Sequence, residues 1–498
     1  MTNIWLTFFL ALGIFGILLF HVGYYIPVWV SVVVFVLVSY LLIRQYRKHL
    51  AGPLILLLFL CYALPFIHII PYLWFDYSSQ PLELWGLAVN PYMTDKTIVE
   101  LMSMIGAVGA CGFAVGEIAA AKRLHFAAAA SSDNVGLLLP KRTLSMPVFS
   151  AWIAMGVVTS WLCAPEQTIF TAAYTKSVSI SQSWNFSSLW MFSYAILAFT
   201  LADAILERDR NLASLKRMIF LYTLLTVVLW LQLLRGARAC LPFVLAAILM
   251  FYVWGAPVTY VIKKRKVLLI SKVKIALIVL VFFIISLIVG AVRSDLVGTD
   301  IAGALGRVGE LFTSGQIGFK NILTGTWSAV LLTPLSIAGD YLNDNLSIKY
   351  GQTYWDLIAS SVPGFVADFI GYQRPIDALH GPAWEMTYGI GGTHSAVVPF
   401  MNFRMFGVFA IVATWTYLFT KLERRFSAVL NPVRLAFLGI VATGVPHWQW
   451  YGEKNIINSL IIWFLLSLVY QLSMSIHSRK TITTTKELSP KTALGSGI

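Results

Sequence analysis

The sequence is short of charge. Only 12% of its 498 residues are charged, about half the ~25% of an ordinary soluble domain. With 58% hydrophobic residues and a mean hydropathy of +0.77, it is neither a disordered chain nor a string of soluble domains. Cysteine is scarce as well. Cys61, Cys111, Cys163 and Cys240 form no Cys-x-x-Cys or Cys/His cluster, so a structural zinc site has no support. His-Glu-x-x-His and Asp-x-Asp are absent, which leaves no metal signature, and no Gly-x-x-x-x-Gly-Lys-Ser/Thr loop is present for nucleotide phosphates. No cofactor is expected. No internal repeat is visible, which gives no support to an inverted-repeat transporter. The first apolar run has neither a basic n-region nor a small-residue cleavage site, and is expected to be a retained helix.

Long apolar runs are what the sequence has. A bilayer span needs ~20 such residues. Runs over approximately 4–22, 26–43, 53–75, 98–121, 146–163, 186–206, 217–234, 239–261, 273–291, 395–420, 433–451 and 455–476 predict an all-α polytopic membrane protein of about twelve helices. The expected division is a nine-helix portion over 1–291, a large outer loop over 292–394, three last helices over 395–476 and a polar tail over 477–498. Gly106, Gly109, Gly112 and Gly116 lie at a spacing that lets helices approach closely. Pro65, Pro71 and Pro446 are expected to kink their spans.

The net charge is +14. The basic residues fall between apolar runs, so they are read as topology and not as a nucleic-acid surface. With the N-terminus inside, every inner loop is basic: Arg44, Arg47 and Lys48; Lys122, Arg123, Lys141 and Arg142; Arg208, Arg210, Lys216 and Arg217; Lys263 to Lys266 with Lys272 and Lys274; Lys421, Arg424, Arg425 and Arg434; and the tail. That is the positive-inside pattern, and it puts both termini in the cytoplasm.

The segment 292–394 is too apolar and aromatic for a linker. Its stretches 300–320, 326–338 and 354–371 read as short interfacial or re-entrant helices over a cavity, and a loop of this length is usually functional. Arg235-Gly236-Ala237-Arg238 joins two spans at the outer face. Two guanidiniums around a flexible glycine suit a diphosphate, against the alternative of snorkelling to lipid phosphate. Arg293 is a third phosphate ligand or an ion-pair partner of Asp295 or Asp300. Between Tyr372 and Arg404 lie Arg374, Asp377, His380, Trp384, Glu385, Tyr388, His394 and Arg404. Trp and Tyr rings suit sugar faces, and His394 or Glu385 could take a proton from a hydroxyl. His394 also suits a helix-capping role, and Arg404 a pairing role within the bundle. The patch from His447 to Lys454 reads as an aromatic belt with a turn, or as part of the same cavity lining.

Three stretches resemble the bacterial polysaccharide repeat-unit polymerases, the Wzy-type O-antigen polymerases, and share features with the related O-antigen ligases. They are Arg235–Arg238; Tyr350-Gly351-Gln352-Thr353-Tyr354 with Val362-Pro363-Gly364; and Gly391-Gly392-Thr393-His394-Ser395 through Asn402-Phe403-Arg404-Met405-Phe406-Gly407. The chain departs from the family pattern at Pro399-Phe400-Met401, where an acid is common, and at Gly364, where an arginine is. The resemblance implies a GT-C-like glycosyltransferase architecture in the bacterial inner membrane. It implies metal-independent, inverting polymerisation of undecaprenyl-diphosphate-linked oligosaccharide units for O-antigen (lipopolysaccharide), capsule or exopolysaccharide. Arg235, Arg238, Arg293 and Arg404 would hold the diphosphate. Arg374, His380, Trp384 and Tyr388 would hold sugar, and His394 or Glu385 would act as base. Membrane lipids and a chain-length-regulating co-polymerase are the implied partners. A ligase and a flippase are the competing readings. The clustering of charge at the outer edge, not along a central path, favours an enzyme over a flippase.

Overall fold

The structure, a computed structural model, describes residues 2–47, 52–66, 83–84, 87–88, 95–129, 143–162, 189–228, 240–255, 281, 306–307, 309–311, 313–314, 333–360, 367, 369–373 and 393–487. Among them the architecture is helical. The elements are α1 (Thr2–His21), α2 (Val28–Arg47), α3 (Pro53–Ala63), α4 (Lys96–Ala129), α5 (Met146–Leu162), α6 (Leu189–Leu206), α7 (Arg210–Leu225), α8 (Cys240–Leu249, continuing as a π turn over Met250–Trp254), α9 (Gln352–Ser360), α10 (Val397–Ala428), α11 (Pro432–Tyr451) and α12 (Lys454–Glu487). One two-residue ladder, β1 (Glu83–Leu84) against β2 (Leu87–Ala88), is antiparallel.

Described helices stand at eleven of the twelve expected positions, and the run 273–291 lies outside the described residues apart from Val281. Among the described residues six helices are long and apolar enough to cross a membrane: Asn3–His21, Val28–Arg47, Lys96–Ala121, Arg210–Val228, Val397–Ala428 and Asn455–Ser475. Four apolar helices are shorter: Pro53–Phe66, Met146–Leu162, Trp190–Leu206 and Cys240–Trp254. The chain is an α-helical membrane protein in this sense. Its outer helices turn bulky apolar side chains outward: Phe15 and Leu18 on α1, Trp29 and Val36 on α2, Leu221 and Tyr222 on α7, Phe464 and Leu472 on α12. Lipid accepts such a surface, whereas water penalises a patch of that extent.

α4 and α11 form the interior. The glycine stripe of α4 works as expected. A Cβ on Gly112 would lie 2.5 Å from the Phe409 carbonyl oxygen, and one on Gly116 2.2 Å from that of Ala413, so α4 and α10 pack backbone to backbone. Gly106 and Gly109 instead make room for the Phe66 and Tyr62 side chains at the end of α3.

Side-chain contacts fix the helix directions. Tyr62 and Phe66 at the end of α3 touch His394, Phe20 at the end of α1 touches Phe400, and Trp190 at the start of α6 touches His447. At the other end Glu423 meets Leu54 and Trp254, and Lys216 meets Asp203. Successive helices therefore alternate between a His394 end and a Glu423 end. Arg44, Arg47, Arg208, Arg210, Arg424 and Arg434 all belong to the Glu423 end.

The prolines and the basic residues compare with expectation as follows in the described helices. Pro446 lies inside α11, which continues through it, and non-helical backbone breaks α10 at Phe403 and Arg404. The third span turns 3-10 at 64–66 beside Pro65, while Pro71 lies outside the described residues. Lys216, read as a loop cation, is fully buried within α7. Cys61, Cys111 and Cys240 are buried free thiols, and Cys163 lies outside the described residues.

Candidate functional site

The site is built where α3, α9, α10 and α11 meet at the His394 end. Its frame is the break in α10. Residues 397–402 form a short helix, the chain turns at Phe403 and Arg404, and a second helix follows. Arg404 has φ 56° and ψ −151°, a conformation that costs an ordinary residue ~1–3 kcal/mol and tends to occur at functional positions. Gly407 lets the two pieces close, because a Cβ there would lie 2.6 Å from the Pro399 carbonyl oxygen.

The segment 345–354 fills the break. Asn402 Oδ1 accepts from the Gly351 N–H at 2.9 Å, and its Nδ2 donates to Thr353 Oγ1 at 2.5 Å and to the Val398 carbonyl at 2.8 Å. The Lys349 N–H donates to the Met401 carbonyl at 3.1 Å. Gly351 has φ +87°, a value glycine adopts without strain. Arg404 Nη2 donates to the Leu346 carbonyl at 2.5 Å, and its guanidinium lies 4.7 Å from the Tyr341 ring centroid and 5.5 Å from that of Phe400. Arg404 Nη1 has no hydrogen-bond partner among the described residues. The Tyr350–Tyr354 and Asn402–Gly407 stretches, far apart in sequence, thus form one unit.

His394 sits behind this unit, fully buried. Pro65 has no N–H for the Cys61 carbonyl, and Trp450 Nε1 donates to it instead at 2.9 Å. The next carbonyl, that of Tyr62, is 2.9 Å from His394 Nε2, while Nδ1 accepts from the Ala396 N–H at 3.1 Å. Burial lowers the imidazole pKa to about 4. A neutral ring that donates from Nε2 and accepts at Nδ1 ties the end of α3 to the start of α10. Both ring nitrogens are thus engaged, which is the geometry of the capping role offered for His394 by the sequence.

Glu453, in the turn between α11 and α12, is a carboxylic acid buried at this end of the bundle. It is 2% exposed, and burial raises its carboxyl pKa to about 7 against the pull of its own backbone N–H and of Tyr354. The Tyr354 hydroxyl donates to Oε1 at 3.4 Å, whereas Oε2 is buried without a partner among the described residues. The carboxyl group lines a cavity of about 20 Å³ with Tyr62, Ser395, Trp415, Trp448 and Gln449. Ser395 Oγ donates to Gln449 Oε1 at 2.5 Å, and Trp448 Nε1, like Glu453 Oε2, lacks a partner among the described residues.

Of the other residues expected at the site, Arg235, Arg238, Arg293, Arg374, His380, Trp384, Glu385 and Tyr388 lie outside the described residues. Of the outer segment, a helix at 333–342 and α9 are described. Trp355 and Ile358 of α9 are exposed, as an interfacial helix requires. The sequence offers Glu453 as part of an aromatic turn or of the cavity lining, and not as a proton acceptor. Its signal was an acid flanked by Trp448 and Trp450 between two apolar runs. No group of His, Cys, Asp and Glu among the described residues could hold a metal ion. No family model, curated protein or solved structure matches the chain.

Proposed function

We propose that the protein is a polysaccharide repeat-unit polymerase of twelve spans and GT-C-like architecture, acting at the periplasmic face of the bacterial inner membrane. The observation that carries this reading is the docking of Tyr350–Tyr354 on the break at Asn402–Gly407, because these are two of the three stretches that carry the resemblance. The substrate is an oligosaccharide on undecaprenyl diphosphate. A hydroxyl of one unit attacks the first sugar carbon of the chain held on a second lipid, and the lipid diphosphate leaves. Arg235, Arg238 and Arg293, with the unpartnered Nη1 of Arg404, stabilise the leaving diphosphate by fixed charge. Arg374, His380, Trp384 and Tyr388 face the sugars. With His394 engaged in its cap, the hydroxyl proton needs another acceptor.

The orientation is testable through the alternating helix directions. A cysteine placed at Asp344, which is exposed, is expected to react with an impermeant reagent in intact spheroplasts. One at Arg210, at the Glu423 end, should react only after permeabilisation. The reverse pattern would invert the topology and put the site in the cytoplasm.

The activity is tested with purified protein and undecaprenyl-diphosphate-linked repeat units. Wild-type protein should lengthen the glycan. Arg235→Ala and Arg238→Ala should each lose more than tenfold in rate, the size of one charge-assisted contact of ~1.5–3 kcal/mol, with normal protein levels. Full-length polymer from both variants would remove the clamp. Transfer of a finished glycan to a different acceptor, without chain growth, would identify a ligase.

A further inference from the structure

We infer that Glu453, through the Tyr354 phenol, is the proton acceptor for the attacking hydroxyl. This rests on the polymerase reading. The geometry has three parts. The carboxyl group is sequestered in the turn between α11 and α12, with no ion-pair partner among the described residues. Its one side-chain hydrogen bond comes from Tyr354, on the helix that follows the docked 345–351 segment. Its second oxygen has no partner among the described residues, and Glu453 lines the cavity. A carboxyl group held in this way is poised to change protonation state and is not consumed in a structural pair.

Among the described side chains the elements around it bring no competing charge. α3 contributes Tyr62, whose hydroxyl donates to the Gly106 carbonyl at 2.8 Å. α9 contributes Tyr354, α10 Trp415 and Thr416, α11 Trp448 and Gln449, and α4 Phe113. Among the described side chains the titratable neighbours are the two tyrosines and, behind Tyr62, the neutral His394, and Tyr354 is held in its protonated form by burial and by the carboxylate beside it. Tyr354 is half-buried, and its neighbours Tyr350 and Trp355 are exposed, so α9 is the side from which a sugar hydroxyl reaches the phenol.

The step balances. The acceptor oxygen bonds to the anomeric carbon of the donor. The bond from that carbon to the diphosphate oxygen breaks, with the electron pair leaving on the diphosphate. The hydroxyl proton passes to Tyr354 Oη as the phenolic proton passes to Glu453 Oε1. The 3.4 Å separation is long for a bond between oxygens, as catalytic contacts often are before substrate binds. Because the acceptor must be ionised, the rate should fall as pH drops below about 7, the value to which burial raises this carboxyl group.

Two measurements on the purified full chain test it: the pH profile of chain growth, and the infrared carboxyl band through the same pH range. Wild type should show an acid limb near that pH and a carboxyl band titrating with it. Glu453→Gln should lower kcat by at least ~100-fold, the low end of general-base contributions, and should lose both limb and band. Glu453→Asp should keep activity with a displaced limb. Tyr354→Phe should lower kcat with little change in KM. If Glu453→Gln fails to fold, Glu453→Asp and Tyr354→Phe decide: folded variants with wild-type rates and limbs overturn the role. A limb that disappears in Glu385→Gln but persists in Glu453→Gln also overturns it, and moves the proton to Glu385. A titrating band in a wild-type protein that lengthens no glycan at any pH overturns the polymerase reading itself. Chain growth that is indifferent to Glu453 overturns the role alone.

Discussion

Lys216→Ala is expected to destabilise the helical bundle by about 3–5 kcal/mol, the cost of leaving buried charges without their partner. Lys216 Nζ donates to Asp203 Oδ2 at 2.9 Å, to Glu207 Oε2 at 2.7 Å and to the Leu144 carbonyl at 2.6 Å. The network extends further. Asp203 Oδ1 accepts from the Tyr470 hydroxyl at 2.5 Å and from the Leu144 N–H at 2.9 Å, and Thr143 donates to Glu207. The ammonium lies 5.3 Å from the Phe149 ring centroid. One cation thus joins α6, α7, α12 and the start of α5. Removing it leaves the Asp203 and Glu207 carboxylates facing each other with no cation among the described residues in contact. A thermal melt in detergent should show the loss directly. Neutralising the carboxylates in the same chain, as Lys216→Met with Asp203→Asn and Glu207→Gln, should recover much of it. A wild-type melting temperature in Lys216→Ala would show that the network contributes nothing.

Gly116→Val is expected to have the second large effect. At 2.2 Å from the Ala413 carbonyl oxygen and 3.0 Å from Thr416 Cβ, an added Cβ meets backbone, which cannot change rotamer to make room. α4 and α10 must separate along the most extensive helix–helix contact of the described fold. Overpacking of this kind costs ~1–3 kcal/mol, occasionally more. The displacement travels along α10 to the break at Phe403 and Arg404, so chain growth should fall further than the melting temperature alone predicts. Gly306→Ala is the control: it is exposed, with none of the described residues within 4 Å of an added Cβ, and should match wild type in both measurements. A Gly116→Val protein that melts and polymerises as wild type would show that the close approach is unnecessary.

The positions of the helices were legible in the sequence because lipid imposes a local rule. A segment that crosses must be apolar for ~20 residues and must satisfy its own backbone. The runs at 4–22, 26–43 and 98–121 meet that rule by composition, and α1, α2 and α4 stand there. The stripe from Gly106 to Gly116 was legible for the same reason, since its spacing depends only on the helical repeat. The alternation of basic loops was legible too, and it matches the alternating helix directions.

What only the tertiary structure decided is the environment of each polar group, because that environment comes from other helices. His394 and Tyr62 are 332 residues apart, and the carbonyl that His394 satisfies lies where Pro65 ends the regular bonding of α3. Nothing local to His394 separates a cap from a base. Lys216 and Arg217 are adjacent basic residues in sequence, yet the helical turn points the first at Asp203 and Glu207 and the second at the Phe251 ring. Arg404 takes its strained backbone because Asn402 and Gly407 admit a segment some 50 residues upstream, which no apolar period encodes. Glu453 looks like a turn acid by itself. Tyr354 and the cavity walls from α3, α4, α10 and α11 make it a buried carboxyl group, since desolvation is a property of the surroundings and not of the residue.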